Sequence, residues 1–144
     1  MITVERQALV PYSAERMYAL VDAVERYPEF LPWCSATELL FRDQNKTRAT
    51  IHVDFRGVHQ QFTTANENVP GERIEIGLVS GPFRSFHGEW QFVQLGDEGC
   101  KVEFKLAYQL ANPVLDRLAG PIFDHIANTL VDAFVRRAEA LYSK

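Results

Sequence analysis

The side chains able to make and break bonds are few and poorly spaced for it. The chain has 4 histidines, 2 cysteines and 19 carboxylates in 144 residues. Metal ligation asks for His, Cys or carboxylate groups converging from fixed short spacings. Here His52 and His87 alternate onto the outward face of strand-like segments, and His59 and His125 lack spaced partners. HExxH, GxSxG, a phosphate-binding glycine loop and a dinucleotide fingerprint are all absent. Glu75, Glu89 and Glu103 fall out of phase with their apolar neighbours, which leaves a cleft between them without a general acid or base. Cys34 and Cys100 lie far apart with no CxxC, and read as reduced thiols of an intracellular protein, a single disulfide being the alternative. The expectation is a non-enzymatic protein with no metal and no cofactor.

What the chain offers instead is apolar and aromatic surface. It is 47% hydrophobic and 12% aromatic, enough for one domain with a substantial, β-rich core. From Ala119 to Lys144 runs the one stretch long enough for a major helix. Leu118, Ile122, Phe123, Ile126, Ala127, Leu130, Val131, Phe134, Ala138 and Leu141 recur there at steps of three and four. From Pro121 onward it would reach roughly 35 Å. Asn112-Pro113 caps a short helical lead-in, and Gly120-Pro121 should kink the chain before the long helix.

Almost everything earlier reads as strand. Residues 2–10 form the first, stopped by Pro11. Ser13 then caps a short helix whose buried face is Met17, Leu20, Val21 and Val24. Further strands cover Ser35–Arg42, Thr47–Arg56, His59–Asn66, Arg73–Val79, Phe83–Leu95 and the stretch from Cys100 to Leu110, separated by Gly, Pro, Asn and Asp turns. Period-two alternation with one wet face means an antiparallel sheet. A helix about 10 Å across covers only two or three strands spaced about 4.8 Å apart. About seven strands present an apolar face, so the sheet must curl, with Gly77 and Gly88 as places to bend. Either an apolar cleft remains between helix and sheet, or aromatics fill the space. The segment Tyr27-Pro28-Glu29-Phe30-Leu31-Pro32-Trp33-Cys34 is too apolar for a solvated loop, and its prolines forbid a long helix. It is a lid over the cleft or a packed corner.

The net charge of −4 excludes a protein held to nucleic acid mainly by phosphate neutralisation, and no DNA partner is expected. A local patch remains: Arg42, Lys46 and Arg48 surround one hairpin, and Arg136 and Arg137 lie near the helix end. Ordinary solvated surface is the competing reading of both groups. No run of about eighteen apolar residues occurs to span a membrane, and MITVERQALV lacks the order of a signal peptide.

YPEFLPWC at 27–34, VDFRG at 53–57, QFTTAN at 61–66, GPFRSFHGEW at 81–90 and NP followed by VDAFVRRA at 131–138 together resemble the coenzyme-Q-binding START-domain family of the polyketide cyclase/lipid-transport (SRPBCC) superfamily. The resemblance covers essentially the whole chain. It implies an α+β helix-grip (START/Bet v 1-like) fold, a curved antiparallel sheet of about seven strands wrapped around a long C-terminal helix. It also implies one of two functions. The first is binding of ubiquinone or a related isoprenoid lipid in support of respiratory electron transport. The other is toxin-like association with the large ribosomal subunit that blocks subunit joining. An oligoketide cyclase is a distant third. For the ligand, the candidates are Trp33, Phe55, Phe62, Phe86, Trp90, Phe92, Phe104 and Tyr108 from the strands and lid, with Phe123, Ile126 and Leu130 from the helix. Tyr27, Phe30 and Leu31 would form the lid, and Arg42, Lys46 and Arg48 a ribosome contact. Each isoprenoid unit buried should contribute about 3–4 kcal/mol. A cytoplasmic location, with peripheral contact at the inner membrane, follows from the same resemblance.

Overall fold

The closing helix starts earlier than the sequence predicts. In a computed structural model, which describes residues Met1–Ser143, Asn112 Oδ1 accepts a hydrogen bond from the Leu115 amide at 2.9 Å and Pro113 occupies the first helical turn. From there one helix, α2, runs unbroken over Pro113–Tyr142. The expected lead-in and long helix are therefore a single element, and Gly120-Pro121 does not divide it. Pro121 removes one intrahelical hydrogen bond, but packing holds the helix together across the gap. Ala119 and Gly120 are buried, and a Cβ on Gly120 would lie 3.0 Å from Asp116 Oδ1 and 3.9 Å from Leu110. The predicted terminus at Lys144 lies outside the described residues.

The strands are β1 (Ile2–Val10), β2 (Cys34–Arg42), β3 (Lys46–Phe55), β4 (Val58–Val69), β5 (Arg73–Ser80), β6 (Phe83–Leu95) and β7 (Gly99–Leu110). They form one seven-stranded antiparallel sheet in the order β1-β7-β6-β5-β4-β3-β2. β4 extends beyond the predicted His59–Asn66 at both ends, because Val58 pairs with Phe55 and Glu67 with Lys46. Between β1 and β2 lie α1 (Ala14–Asp22), capped by Ser13, and a 3-10 turn over Val24–Glu29 that accommodates Pro28. This is the helix-grip fold.

One close approach decides the turn between β5 and β6. A Cβ on Gly81 would come within 2.5 Å of Phe62 Cβ, and its φ of 151° is one that few other residues adopt. The chain there presses on Phe62 from the rim, which fixes one wall of the interior. The core runs from Val4 and Val10 of β1 through Trp90, Phe92, Val102 and Phe104 to Val131, Phe134 and Ala138 of α2.

Candidate functional site: an aromatic cavity under the closing helix

The strand alternation that makes one face of the sheet apolar also points its aromatics at α2. A cavity of about 100 Å³ remains between them. Of the predicted ligand residues, Trp33, Phe62, Phe86, Trp90, Phe104, Tyr108, Phe123, Ile126 and Leu130 all line it. Tyr27 of the lid joins them, along with Val24, Ile51, Thr64, Asn66, Ile76, Phe83, Leu106, Ala127 and Phe134. An apolar cavity of about 150 Å³ holds a benzene. The space is therefore no larger than one ring needs, and an isoprenoid tail would have to displace side chains to enter.

Phe55 and Phe92 stand elsewhere. Phe92 shares the inward face, but lies parallel to Trp90 at 6.2 Å and edge-on to Tyr18 at 5.8 Å, so α1 covers it. Phe55 ends β3 beyond the cavity. Its ring stacks on His125 at 5.9 Å and carries the Arg56 guanidinium 4.7 Å from its centroid. Phe83 was not among the candidates because its parity is opposite to that of Phe86, Trp90 and Phe92. A register shift between Phe83 and Ser85 against β7 turns it inward as well. Phe83 then meets Phe86 at 5.0 Å, Phe123 at 5.0 Å and Tyr108 at 6.1 Å. Nothing in the local composition marks that bulge. Phe134 was visible as part of the helix stripe, and Tyr27, Phe30 and Trp90 all approach it at 5.3–5.5 Å.

The polar groups of the cavity are few. Tyr108 is 1% exposed and its hydroxyl has no hydrogen-bond partner; Asn66 Oδ1 is likewise unpartnered. Burial pushes the Tyr108 phenol up to about 12, with the negative charges of Asp124 and Asp116 adding to it. Apart from Tyr27 and Tyr108, the described lining holds no titratable side chain. A phenol held that high is a poor base at neutral pH. The thiols are no better placed as nucleophiles. Cys34 and Cys100 are free and buried, and desolvation pushes Cys34 up to about 11 and Cys100 in the same direction.

The lid segment is tightly packed. The Tyr27 hydroxyl donates to the Val21 carbonyl, Tyr27 and Phe30 pack edge-on against Phe134, and Leu31 is 1% exposed. Arg137 lies over the Phe30 ring at 4.9 Å and pairs with Glu29 at 2.7 Å, tying the segment to α2 from outside.

The three hairpin cations divide into two kinds. Arg42 forks onto Glu25 at 2.6 and 3.1 Å and donates to the Asp22 carbonyl at 2.7 Å. It is a strap between β2 and the helical segment, and the fork depresses the Glu25 carboxyl below its usual range. Lys46 and Arg48 are exposed, and neither has a carboxylate within 4.0 Å among the described residues. Among those same residues no group of three or more His, Cys, Asp or Glu side chains could hold a metal ion, and no helix is long and apolar enough to cross a membrane.

Comparison with known proteins places this architecture. The chain is 46% identical over 139 residues to the ribosome association toxin RatA of Pseudomonas aeruginosa, covering 96% of each. It is 24% identical over 137 residues to the mitochondrial coenzyme Q-binding protein COQ10 homolog B of Xenopus laevis, covering 92% of this chain and 56% of that protein. The structure of a START superfamily protein from Mycobacterium smegmatis is 25% identical and superposes with a TM-score of 0.76, covering 96% of this chain and 98% of that one. The profile of polyketide cyclase / dehydrase and lipid transport proteins matches residues 10–135, and the chain belongs to that family.

Proposed function

We propose that this chain associates with the ribosome, as its bacterial relatives are named for doing, and that it does so without catalysing a reaction. The observation that carries the reading is the identity of 46% spread over 96% of both chains with a ribosome association toxin. The mitochondrial coenzyme Q-binding relative is far more distant, at 24%. A cavity lined by aromatics, with no carboxylate or imidazole among its described residues, supports the non-enzymatic part. The large subunit is the expected partner, which would place the protein in the cytoplasm. Of the three hairpin cations, Lys46 and Arg48 are exposed and without an ion pair among the described residues, and so are free to contribute to that contact. Sucrose-gradient profiles of subunits mixed at joining conditions test the reading. Added protein should shift material from joined ribosomes to free subunits, and an unchanged profile would remove the claim.

A second reading has its own observation. The Tyr108 hydroxyl has no partner inside an apolar cavity, an arrangement that suits a ring bearing a carbonyl or ether oxygen. A ubiquinone-like molecule has such a ring, and it would enter head first. Mass spectrometry of protein purified without denaturation should find a bound quinone if this reading holds. Empty protein that also fails to take up a short-tailed quinone would discard it.

A further inference from the structure

The β5–β6 hairpin is paired only at its base. Its ladder runs from Arg73↔Gln91 to Gly77↔His87 and stops there. Each arm nevertheless continues with its other neighbour, β5 along β4 as far as Ser80 and β6 along β7 as far as Phe83. Each arm also carries a bulge: Val79 is skipped in the register against β4, and Arg84 in the register against β7. Bulges bend and twist a strand, and here both fall where the arms part. The tip is held separately, because Gly81 presses on Phe62 and the Pro82 carbonyl accepts from the Ala111 amide at 2.9 Å. Between base and tip, Leu78–Ser80 faces Phe83–Phe86 across a seam with no ladder.

The cavity reaches the surface at this seam. Three rings of its wall, Phe62, Phe83 and Phe86, gather there within 5.0–5.7 Å of one another. Phe62, Ile76, Leu78 and Phe86 are half-buried, whereas Trp90, Phe104 and Tyr108 are only 1–2% exposed. Ser85 Oγ, which continued pairing would set opposite Val79, is buried without a hydrogen-bond partner. Gly77 and Gly88 stand at the base, giving each arm a position where a strand flexes. The Tyr27–Trp33 segment is the opposite case, held by the bond from Tyr27 to Val21, the Glu29–Arg137 pair and packing of Phe30 on Phe134.

We infer that the seam between β5 and β6, and not the Tyr27–Trp33 segment, is the port by which an uncharged, ring-bearing lipophile reaches the cavity. The inference rests on the ring-binding reading of the cavity and adds its route. A ring lodged in about 100 Å³ leaves no room for a tail. The tail of a bound molecule would therefore lie in the seam, between Leu78 and Phe86, with Val79 at 47% exposure beside it. Arg84 is the one charged side chain of the two unpaired stretches and is itself exposed, so the passage favours neutral cargo. Ser85 Oγ offers a passing carbonyl or ether oxygen a hydrogen bond.

The test follows entry of decylubiquinone by stopped-flow quenching of Trp33 and Trp90, the two tryptophans of the chain, both of which line the cavity. Val79→Cys combined with Ser85→Cys ties the arms together when oxidised. Entry should then slow about tenfold or more and recover on adding dithiothreitol. Val79→Cys alone, capped with a polyethylene-glycol maleimide, should slow entry likewise and does not depend on a disulfide closing. Cys34 and Cys100 are buried and stay uncapped. Arg137→Ala frees Phe30 and Glu29 of the lid segment and should leave the rate unchanged. No quenching of the unaltered chain would mean that the ring-binding reading fails, and the port with it. Quenching that neither seam variant slows, or that Arg137→Ala speeds, would overturn the port alone.

Discussion

Phe83 stands edge-on to Tyr108 across the cavity, ring centroids 6.1 Å apart and planes at 87°. The contact fixes the phenol ring while its hydroxyl is left without a partner. A buried unsatisfied hydroxyl costs free energy that its removal returns. Tyr108→Phe should therefore stabilise the empty protein by about 1 kcal/mol in chemical denaturation. The same change should weaken binding of any oxygen-bearing ring ligand. A variant less stable than its parent would mean that the hydroxyl is satisfied, for instance by an internal water.

The Tyr27–Trp33 segment invites a different test. Leu31 is 1% exposed and packs in the core alongside Trp33, at 7%. Leu31→Ala should cost about 2–4 kcal/mol, read from the urea midpoint. A lid that opens freely would lose much less. Loss at the lower end with a large change in lipophile uptake would favour a moving gate over a packed corner.

The hairpin cations should separate cleanly by assay. Arg42→Ala removes the fork to Glu25 and the bond to the Asp22 carbonyl, and should lower stability by about 1 kcal/mol, since the pair is partly solvent-screened. Arg48→Glu should leave melting unchanged and weaken ribosome co-sedimentation. The opposite assignment would show that Arg42, not Arg48, faces the partner.

Asp22 gives a pH signature. Burial raises its carboxyl above the ordinary value, against the pull of Arg42 and the hydrogen bond from Thr47. The folded state then takes up this proton at a higher pH than the unfolded chain does. The cost of keeping Asp22 charged is absent below the unfolded pKa and fully present above the folded one. Glu25, depressed by its hydrogen bonds from Arg42, contributes with the opposite sign: its stabilisation is present above its unfolded pKa and lost as pH falls through the folded one. Asp22→Asn isolates the first effect. The variant should gain stability over its parent at pH 7, and the gain should vanish as pH falls below the ordinary carboxylate range. A pH-independent difference would point to altered hydrogen bonding with Thr47 and Asn68 instead.

Much of this architecture was legible in the sequence because it rests on two periods. Alternation along β3 and β7 put Ile51, Phe104, Leu106 and Tyr108 on one face, and the three-to-four spacing of Phe123, Ile126, Leu130 and Phe134 set the opposing wall. The width of a helix against the sheet predicted that a space would be left. What escaped depends on events that composition does not record. The register shift after Phe83 reverses its parity. Phe55 alternates correctly but sits past the end of the cavity. Gly120-Pro121 suggested a short lead-in set off from the long helix, whereas one helix runs through both residues, with Ala119 and Gly120 buried. The fork of Arg42 onto Glu25 spans separate elements, so a hairpin cation that looked available is already engaged.

The central claim is ribosome association, and binding to isolated subunits tests it most directly. Purified protein should pellet with large subunits at near-equal stoichiometry and stay in the supernatant with small ones. No pelleting with either subunit at low salt would contradict the account.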